Sequence, residues 1–291
     1  MVGSMLNAIL SKQLGAYTLQ AGKLKRSWHK GARRSSRFGS SHDFSDYRMY
    51  ELGDDLRQID WNIYARTQKH YIKRYLDEQE LTAAIYLDCT KSMTTSMEKW
   101  KLAKTLTAAF GYIGLSNDDR ISIVSVNGEQ APYLYRKGKA HLYKMMEYVE
   151  SLTPEDSSLL FSEVIGRHLQ RKASVSVVIT DLMEPLESVL QSLKLIQANR
   201  QTVYLLQVLE KDELVPSFDG DFMLVDSETN QEVNVTVSDY TRKNYQEKMK
   251  QRMETLGNFC FERGISYLTC HTEEKVEDII FNRMTTKGWI R

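Results

Sequence analysis

The chain has 291 residues, 42% hydrophobic and 26% charged, with a net charge of +1. That composition is ordinary for a soluble globular protein, and the length suits one large α/β domain or one domain with an elaboration. No apolar stretch approaches the roughly 18–20 residues that span a membrane. Residues 1–12 lack the basic head, apolar core and cleavage pattern of a secretory signal, and three scattered cysteines (Cys89, Cys260, Cys270) point to reduced thiols, so a cytoplasmic protein is expected.

In chain order, residues 1–37 carry eight Lys or Arg (Lys12, Lys23, Lys25, Arg26, Lys30, Arg33, Arg34, Arg37) and no Asp or Glu, leaving 31 basic against 38 acidic residues in the rest. Such an arm can meet nucleic acid, an anionic membrane or an acidic protein surface. Only Tyr17 and Trp28 interrupt it, which is thin support for base stacking. Folding back on the acidic remainder, or plain solvation, is the simpler reading. Residues 1–80 as a whole are rich in Gly, Arg and Asp with few long apolar runs.

From residue 81, strands and helices alternate. Strand-like runs lie at 81–87, 120–126, 174–180 and 202–209, with helical patterns at 93–115, 141–152, 159–170 and 187–198. This alternation predicts a doubly wound, mostly parallel sheet over 81–291. Residues 222–226 and 232–236, joined by 227–231, read as a hairpin inserted at about 217–237. A long amphipathic helix over 240–263 ends at Gly264, which suits a C-cap. A short strand at 265–269 and a final helix over 275–284 complete the pattern.

The first strand ends in Asp88-Cys89-Thr90-Lys91-Ser92-Met93. Ligands of open α/β sheets sit at the carboxyl ends of such strands, and a carboxylate flanked by two hydroxyls is hard oxygen chemistry suited to Mg²⁺ or Mn²⁺. The alternative is that Asp88 and Thr90 only cap the helix that follows. The run 174–180 delivers Asp181 to the same edge, and between the two, Asp156-Ser157-Ser158 opens a helix on a loop. Three loops converging in this way favour a site over separate capping roles.

At this point the chain resembles the von Willebrand factor A-like fold with its metal-ion-dependent adhesion site, and more specifically the bacterial family called domain of unknown function 58. The resemblance runs from about Gly31 to the final helix. It implies metal ligation by Asp88, Thr90, Ser92, Ser158 and Asp181. Ser158, with Leu160 at the family's spacing, stands where the fold usually has threonine. Lys91 would oppose a cation if its side chain turned inward. The family signature is upstream: Gly39-Ser40-Ser41, Asp43-Phe44, Asp46-Tyr47-Arg48-x-Tyr50, Gly53-Asp54-Asp55-x-Arg57-x-Ile59-Asp60-Trp61 and Ala65-Arg66, continued by Lys73 and Glu78. Arginine forks interleaved with carboxylates suit a hydrogen-bonded network. Arg48, Asp54, Asp55, Arg57, Asp60 and Arg66 are therefore read as a structural network anchored by Trp61, with a partner-docking surface as the alternative. The family is associated with MoxR-type AAA+ ATPases.

Other chemistry fits poorly. The chain has no Gly-x-x-x-x-Gly-Lys-Ser/Thr loop, no Gly-x-Ser-x-Gly elbow and no paired histidines, which argues against nucleotide hydrolysis, serine-hydrolase and zinc chemistry. The expected function is a non-enzymatic protein-binding module with an adhesion-like metal site, acting as adaptor or partner of a MoxR-type AAA+ ATPase or its client. A small-molecule substrate is disfavoured. The enzymatic rival is an Mg²⁺-dependent phosphatase-like protein with Asp88 as nucleophile, but Thr90 stands where the second carboxylate would be needed. The remaining alternative is a nucleic-acid or membrane-surface binder using the basic arm.

Overall fold

The computed structural model describes residues 6–21, 44–75, 81–128, 130–154, 161–216, 220–225 and 232–291. The chain divides into one unit of residues 1–25 with 81–291 and a second of residues 26–80. Several sequence expectations fall outside the described residues: seven of the eight basic positions of the arm, Gly39 to Asp43, Glu78, the hairpin turn at 227–231, and Ser158.

The first helix, α1 (Ala8–Leu14), starts where the Asn7 side chain accepts the Leu10 N–H at 2.7 Å, satisfying one of the orphan donors of a helix start. Leu6, Leu10 and Leu14 share one face at helical spacing and are buried in the α/β core. Residues 18–20 then pair with the far end of the chain. Thr18 N–H donates to Arg291 O at 2.9 Å, and Gln20 N–H to Trp289 O at 2.9 Å. The 1–80 region expected from sequence is therefore split, because its opening leucines belong to the core of the other unit.

The second unit pairs β1 (Phe44–Met49) antiparallel with β2 (Tyr71–Tyr75), with α2 (Trp61–Thr67) between them in the chain. Asp60 starts α2 by accepting the N–H groups of Asn62 at 2.9 Å and Ile63 at 3.4 Å. Ile59 and Ile72 are buried and bridge one another.

The α/β unit runs β3 (Thr82–Asp88), α3 (Met97–Ser116), β4 (Arg120–Val126), β5 (Tyr133–Lys137), α4 (Leu142–Ser151), α5 (Phe161–His168), β6 (Val175–Thr180), α6 (Leu186–Ala198), β7 (Thr202–Leu209) and the helical turn α7 (Lys211–Leu214). It continues with β8 (Gly220–Val225), β9 (Glu232–Val237), α8 (Asp239–Arg263), β10 (Ser266–His271) and α9 (Val276–Asp278), which widens into a π-helical turn over Ile279–Met284. Six strands form one sheet in the order β10-β7-β6-β3-β4-β5, parallel except for β5. β8 and β9 form a separate antiparallel ribbon. The fold is mixed α/β with a central, mostly parallel sheet.

Strand alternation assigns the two faces. Ala83, Ile85 and Leu87 of β3 join the core beneath α1, α3, α4 and the C-terminal helix, whereas Ala84 and Tyr86 join the core beneath α5, α6 and α8. Because both faces are covered, β3, β6 and β7 read as mostly apolar runs, with Ser176 and Gln207 as buried polar exceptions. From β3 the chain moves to β4 on one side, then returns to place β6 on the other. The strand order thus reverses between β3 and β6, and the crevice at the carboxyl ends of those two strands is where such sheets hold ligands.

Candidate functional site

Register brings the first residues of the site together. Leu87 pairs with Ile179 in the parallel ladder, so the next position along sets Asp88 beside Thr180. The Thr180 hydroxyl donates to Asp88 Oδ2 at 2.6 Å. Asp88 Oδ1 accepts the Thr90 hydroxyl at 2.8 Å and the Thr90 N–H at 3.0 Å. Thr90 Oγ1 lies 2.9 Å from Ser92 Oγ. Asp88, Thr90 and Ser92 are all buried. Helix capping does not account for this cluster: α3 is capped by Ser96, whose hydroxyl accepts the Lys99 N–H at 3.1 Å.

All the hydrogen-bond donors to Asp88 are therefore uncharged. Burial, and next the neighbouring Asp181, push its carboxyl up to about 6. An ionised carboxylate removed from water without a counter-charge is costly.

Asp181 is held differently. Its Oδ1 accepts the Met183 N–H at 3.1 Å, and its Oδ2 accepts Lys99 Nζ at 2.8 Å. Lys99 is fully buried and uses its ammonium completely, donating also to the Ser92 carbonyl at 3.0 Å and to Glu213 Oε1 at 2.6 Å. Burial alone would lower its pKa, but Asp181 and Glu213 outweigh that effect and raise it. The cationic side chain held in the site is thus Lys99; Lys91 is partly buried. Lys99, Glu213 and Thr180 were missed by sequence reasoning. The available signal was Lys99 itself, a lysine in helical register with the buried Leu102, Ala103 and Leu106.

Outer contacts fix this loop. Gln207 Nε2 donates to the Asp181 carbonyl at 3.0 Å, and Tyr267 donates to Gln207 Oε1. Arg252 of α8 donates to the carbonyls of Leu182, at 2.5 Å, and Glu184. Glu213 Oε2 accepts the Glu210 N–H at 2.8 Å as part of a capping box.

Asp181 and Glu213 therefore share the Lys99 ammonium, and Asp88 has no cationic partner. The donor set on the Asp88 side fits a hard divalent cation, because it supplies a carboxylate short of positive charge and two hydroxyl oxygens on one short segment. On the Asp181 side Lys99 already provides the positive charge. Among the described residues no group of three or more His, Cys, Asp or Glu is placed to hold a metal, so a zinc-type or all-carboxylate cage is absent there.

The signature region forms a smaller network than expected. Arg48 clasps Asp54 with two parallel bonds, of 2.5 and 2.6 Å, a bidentate geometry that fixes the β1–α2 connection. Asp54 also accepts the Glu51 N–H at 3.0 Å, and Asp55 the Arg57 N–H at 3.0 Å. Asp60 receives the Tyr47 hydroxyl at 3.1 Å besides capping α2. Trp61 is not the anchor: it is 58% exposed and meets Tyr64 and His70 edge-on. Arg57 and Arg66 are exposed and form no ion pair with described residues.

Cys89, Cys260 and Cys270 are buried free thiols. Burial pushes Cys260 and Cys270 up to about 12, which leaves them unreactive near neutral pH. No helix among the described residues is long and apolar enough to cross a membrane.

Comparison with known proteins places the chain among uncharacterised relatives. It is 24% identical over 199 residues to uncharacterized proteins of Mycobacterium bovis and Mycobacterium tuberculosis, a match covering 66% of this chain and 62% of theirs. Among solved structures it is similar to the conserved hypothetical protein BatB from Bacteroides thetaiotaomicron, with 13% identity, a TM-score of 0.42, and coverage of 72% of this chain and 98% of that one. It is also similar to an aerotolerance-related membrane protein from Bacteroides fragilis, with 14% identity, a TM-score of 0.40, and coverage of 65% and 91%. The family described as protein of unknown function DUF58 matches residues 46–255, most of the chain, and the protein belongs to that family.

Proposed function

We propose that this protein is a non-enzymatic, von Willebrand factor A-like binding module that holds Mg²⁺ or Mn²⁺ at the β3–β6 crevice and uses the ion to dock a carboxylate of a partner protein. The observation that carries this reading is Asp88, a buried carboxylate at a topological switch point whose donors are all neutral. Asp88, Thr90 and Ser92 would hold the ion, with Ser158 the expected further hydroxyl. Asp181 would add negative charge from behind its bond to Lys99. Bound there, the ion supplies a fixed positive charge that a partner's Asp or Glu can meet directionally. A MoxR-type AAA+ ATPase, or its client, is the proposed partner.

The non-enzymatic part rests on the same geometry. An aspartyl nucleophile needs a nearby acid to protonate its leaving group. The group at that position is the Thr90 hydroxyl, which is already donating to Asp88.

Titration calorimetry with Mn²⁺ tests the site. Asp88→Asn should abolish binding, and Asp181→Ala should weaken it less, because Asp181 Oδ2 is committed to Lys99. Unchanged binding in Asp88→Asn would move any ion elsewhere. In parallel, ATP and p-nitrophenyl phosphate should not turn over with Mg²⁺; turnover lost in Asp88→Asn would restore the phosphatase reading.

A further inference from the structure

Beside the Lys99–Glu213 pair lies a cavity of about 400 Å³ that neither the cation site nor the sheet accounts for. That volume falls within the range of ligand pockets. Its walls are apolar: Pro216 after α7, Val235 and Val237 of β9, and the ring of Tyr245 on α8. The Tyr245 hydroxyl donates to the Glu213 carbonyl at 2.8 Å, which holds the ring in place. Glu210 and Asp212 also line it. The lining cation, Arg242, is met by Asp239 at 2.6 Å. Burial, and next Glu213, raise the Glu210 carboxyl above its ordinary range. The cavity is thus a mostly apolar slot with surplus negative charge in its lining.

The apolar wall does not stop at the cavity. Phe222 is the register partner of Val235, so the two side chains share one face of the ribbon. Val233, two residues before Val235 and on the same face, is 55% exposed. Among the described residues β8 and β9 pair only with each other, leaving outer edges of the kind that accept an added strand. A lone organic cation would use only the slot. The stripe and edges suit an extended chain.

We propose that this cavity and the adjoining β8–β9 face bind an extended segment of a partner polypeptide carrying an Arg or Lys between apolar residues. The aliphatic stem lies along Val235, Val237 and Tyr245, and the charged head meets Glu210 and Asp212. This site goes beyond the cation reading and does not depend on it.

The test uses the full chain with valine methyl groups ¹³C-labelled and titrated by NMR. The probes are acetyl-Val-Arg-Val-amide, the same peptide with neutral citrulline for arginine, and N-propylguanidinium. The arginine peptide should move the Val235 and Val237 methyl signals saturably, equally in EDTA and in Mg²⁺. The citrulline peptide should bind about tenfold more weakly or worse. Glu210→Gln with Asp212→Asn should lose a similar factor while methyl signals elsewhere stay put. Val235→Thr, which keeps the strand shape and removes apolar wall, should also weaken binding. No movement at Val235 and Val237, equal affinity for the citrulline peptide, or N-propylguanidinium matching the arginine peptide would each overturn the proposal.

Discussion

The Lys99 ammonium has no solvent exposure and three protein acceptors. Removing one partner from a buried ion pair leaves the remaining charges uncompensated, at a cost of about 3–5 kcal/mol. Lys99→Met should therefore destabilise the protein by that order in chemical denaturation. Adding Asp181→Asn to it should recover part of the loss, since the two residues are in contact and their effects are not additive. Asp88 gives the opposite electrostatic sign. Its folded pKa of about 6 stands above the ordinary 3.8. Between those values the native state keeps a proton that the unfolded chain has lost, so stability falls as pH rises. Relative to Asp88→Asn, the metal-free wild type should lose stability from about pH 4 to about pH 6, and saturating Mg²⁺ should remove that loss. A flat difference between the two proteins across this range would show that Asp88 carries no such strain. Sequence could point to Asp88, Thr90 and Asp181 because they sit at strand ends in a recognisable spacing. It could not assign Lys99 to Asp181, 82 positions away, because that contact exists only once α3 lies across the end of β6.

At the scale of elements, legibility followed burial on both faces. β3, β4, β6 and β7 are almost wholly buried and mostly apolar, and each lies within one residue of its expected span. β5 escaped notice because Tyr133–Lys137 is a partly exposed edge strand with two basic residues and no apolar run. β1 and β2 escaped for a related reason, being short and rich in charge. The final helix expected over 275–284 is present, and most of it is a π-helical turn, a hydrogen-bond register that hydrophobic spacing does not reveal. Gly114 shows what the parallel layer demands of α3. A Cβ there would meet Ile121 Cδ1 at 2.2 Å and Cγ1 at 2.9 Å, so glycine permits the close approach of α3 to β4. Gly114→Ala should destabilise the protein by about 1–3 kcal/mol despite alanine's better helix propensity. At Gly111 the obstacle is the flexible Met145 side chain, with Sδ at 2.9 Å. Gly111→Ala should cost clearly less in the same denaturation experiment.

Across the whole molecule, charge marks residues 1–37 as a basic arm that folds back on the acidic remainder or is solvated, and the described part of that segment, 6–21, places Leu6, Leu10, Leu14 and Leu19 in the core. Leu14 is fully buried in the α/β core with Leu6 and Leu10, so Leu14→Ala should cost about 2–5 kcal/mol; a loss within error of zero would show that α1 is not an integral part of that core. The same contrast between core and exposed surface frames the question of how a partner is held. Besides the β8–β9 slot, two surfaces compete: the Asp88 crevice, which would act through a divalent ion, and the signature unit, where Arg57 and Arg66 are exposed without ion pairs among the described residues. These differ in ionic requirement. A carboxylate added at a cation loses its anchor in EDTA, whereas arginine contacts to a partner's acidic surface ignore chelation and weaken with salt. Asp60 is a poor probe because it caps α2, so its loss would disturb the unit itself. Arg57→Ala removes a surface charge and leaves the Arg48–Asp54 clasp intact. With a MoxR-type AAA+ ATPase as bait, recovery of the wild-type chain should fall in EDTA and return with Mg²⁺. Asp88→Ala should match the EDTA result in both conditions, and Arg57→Ala should behave as wild type. Equal recovery with and without EDTA, together with loss in Arg57→Ala, would transfer the docking role from the crevice to the signature unit.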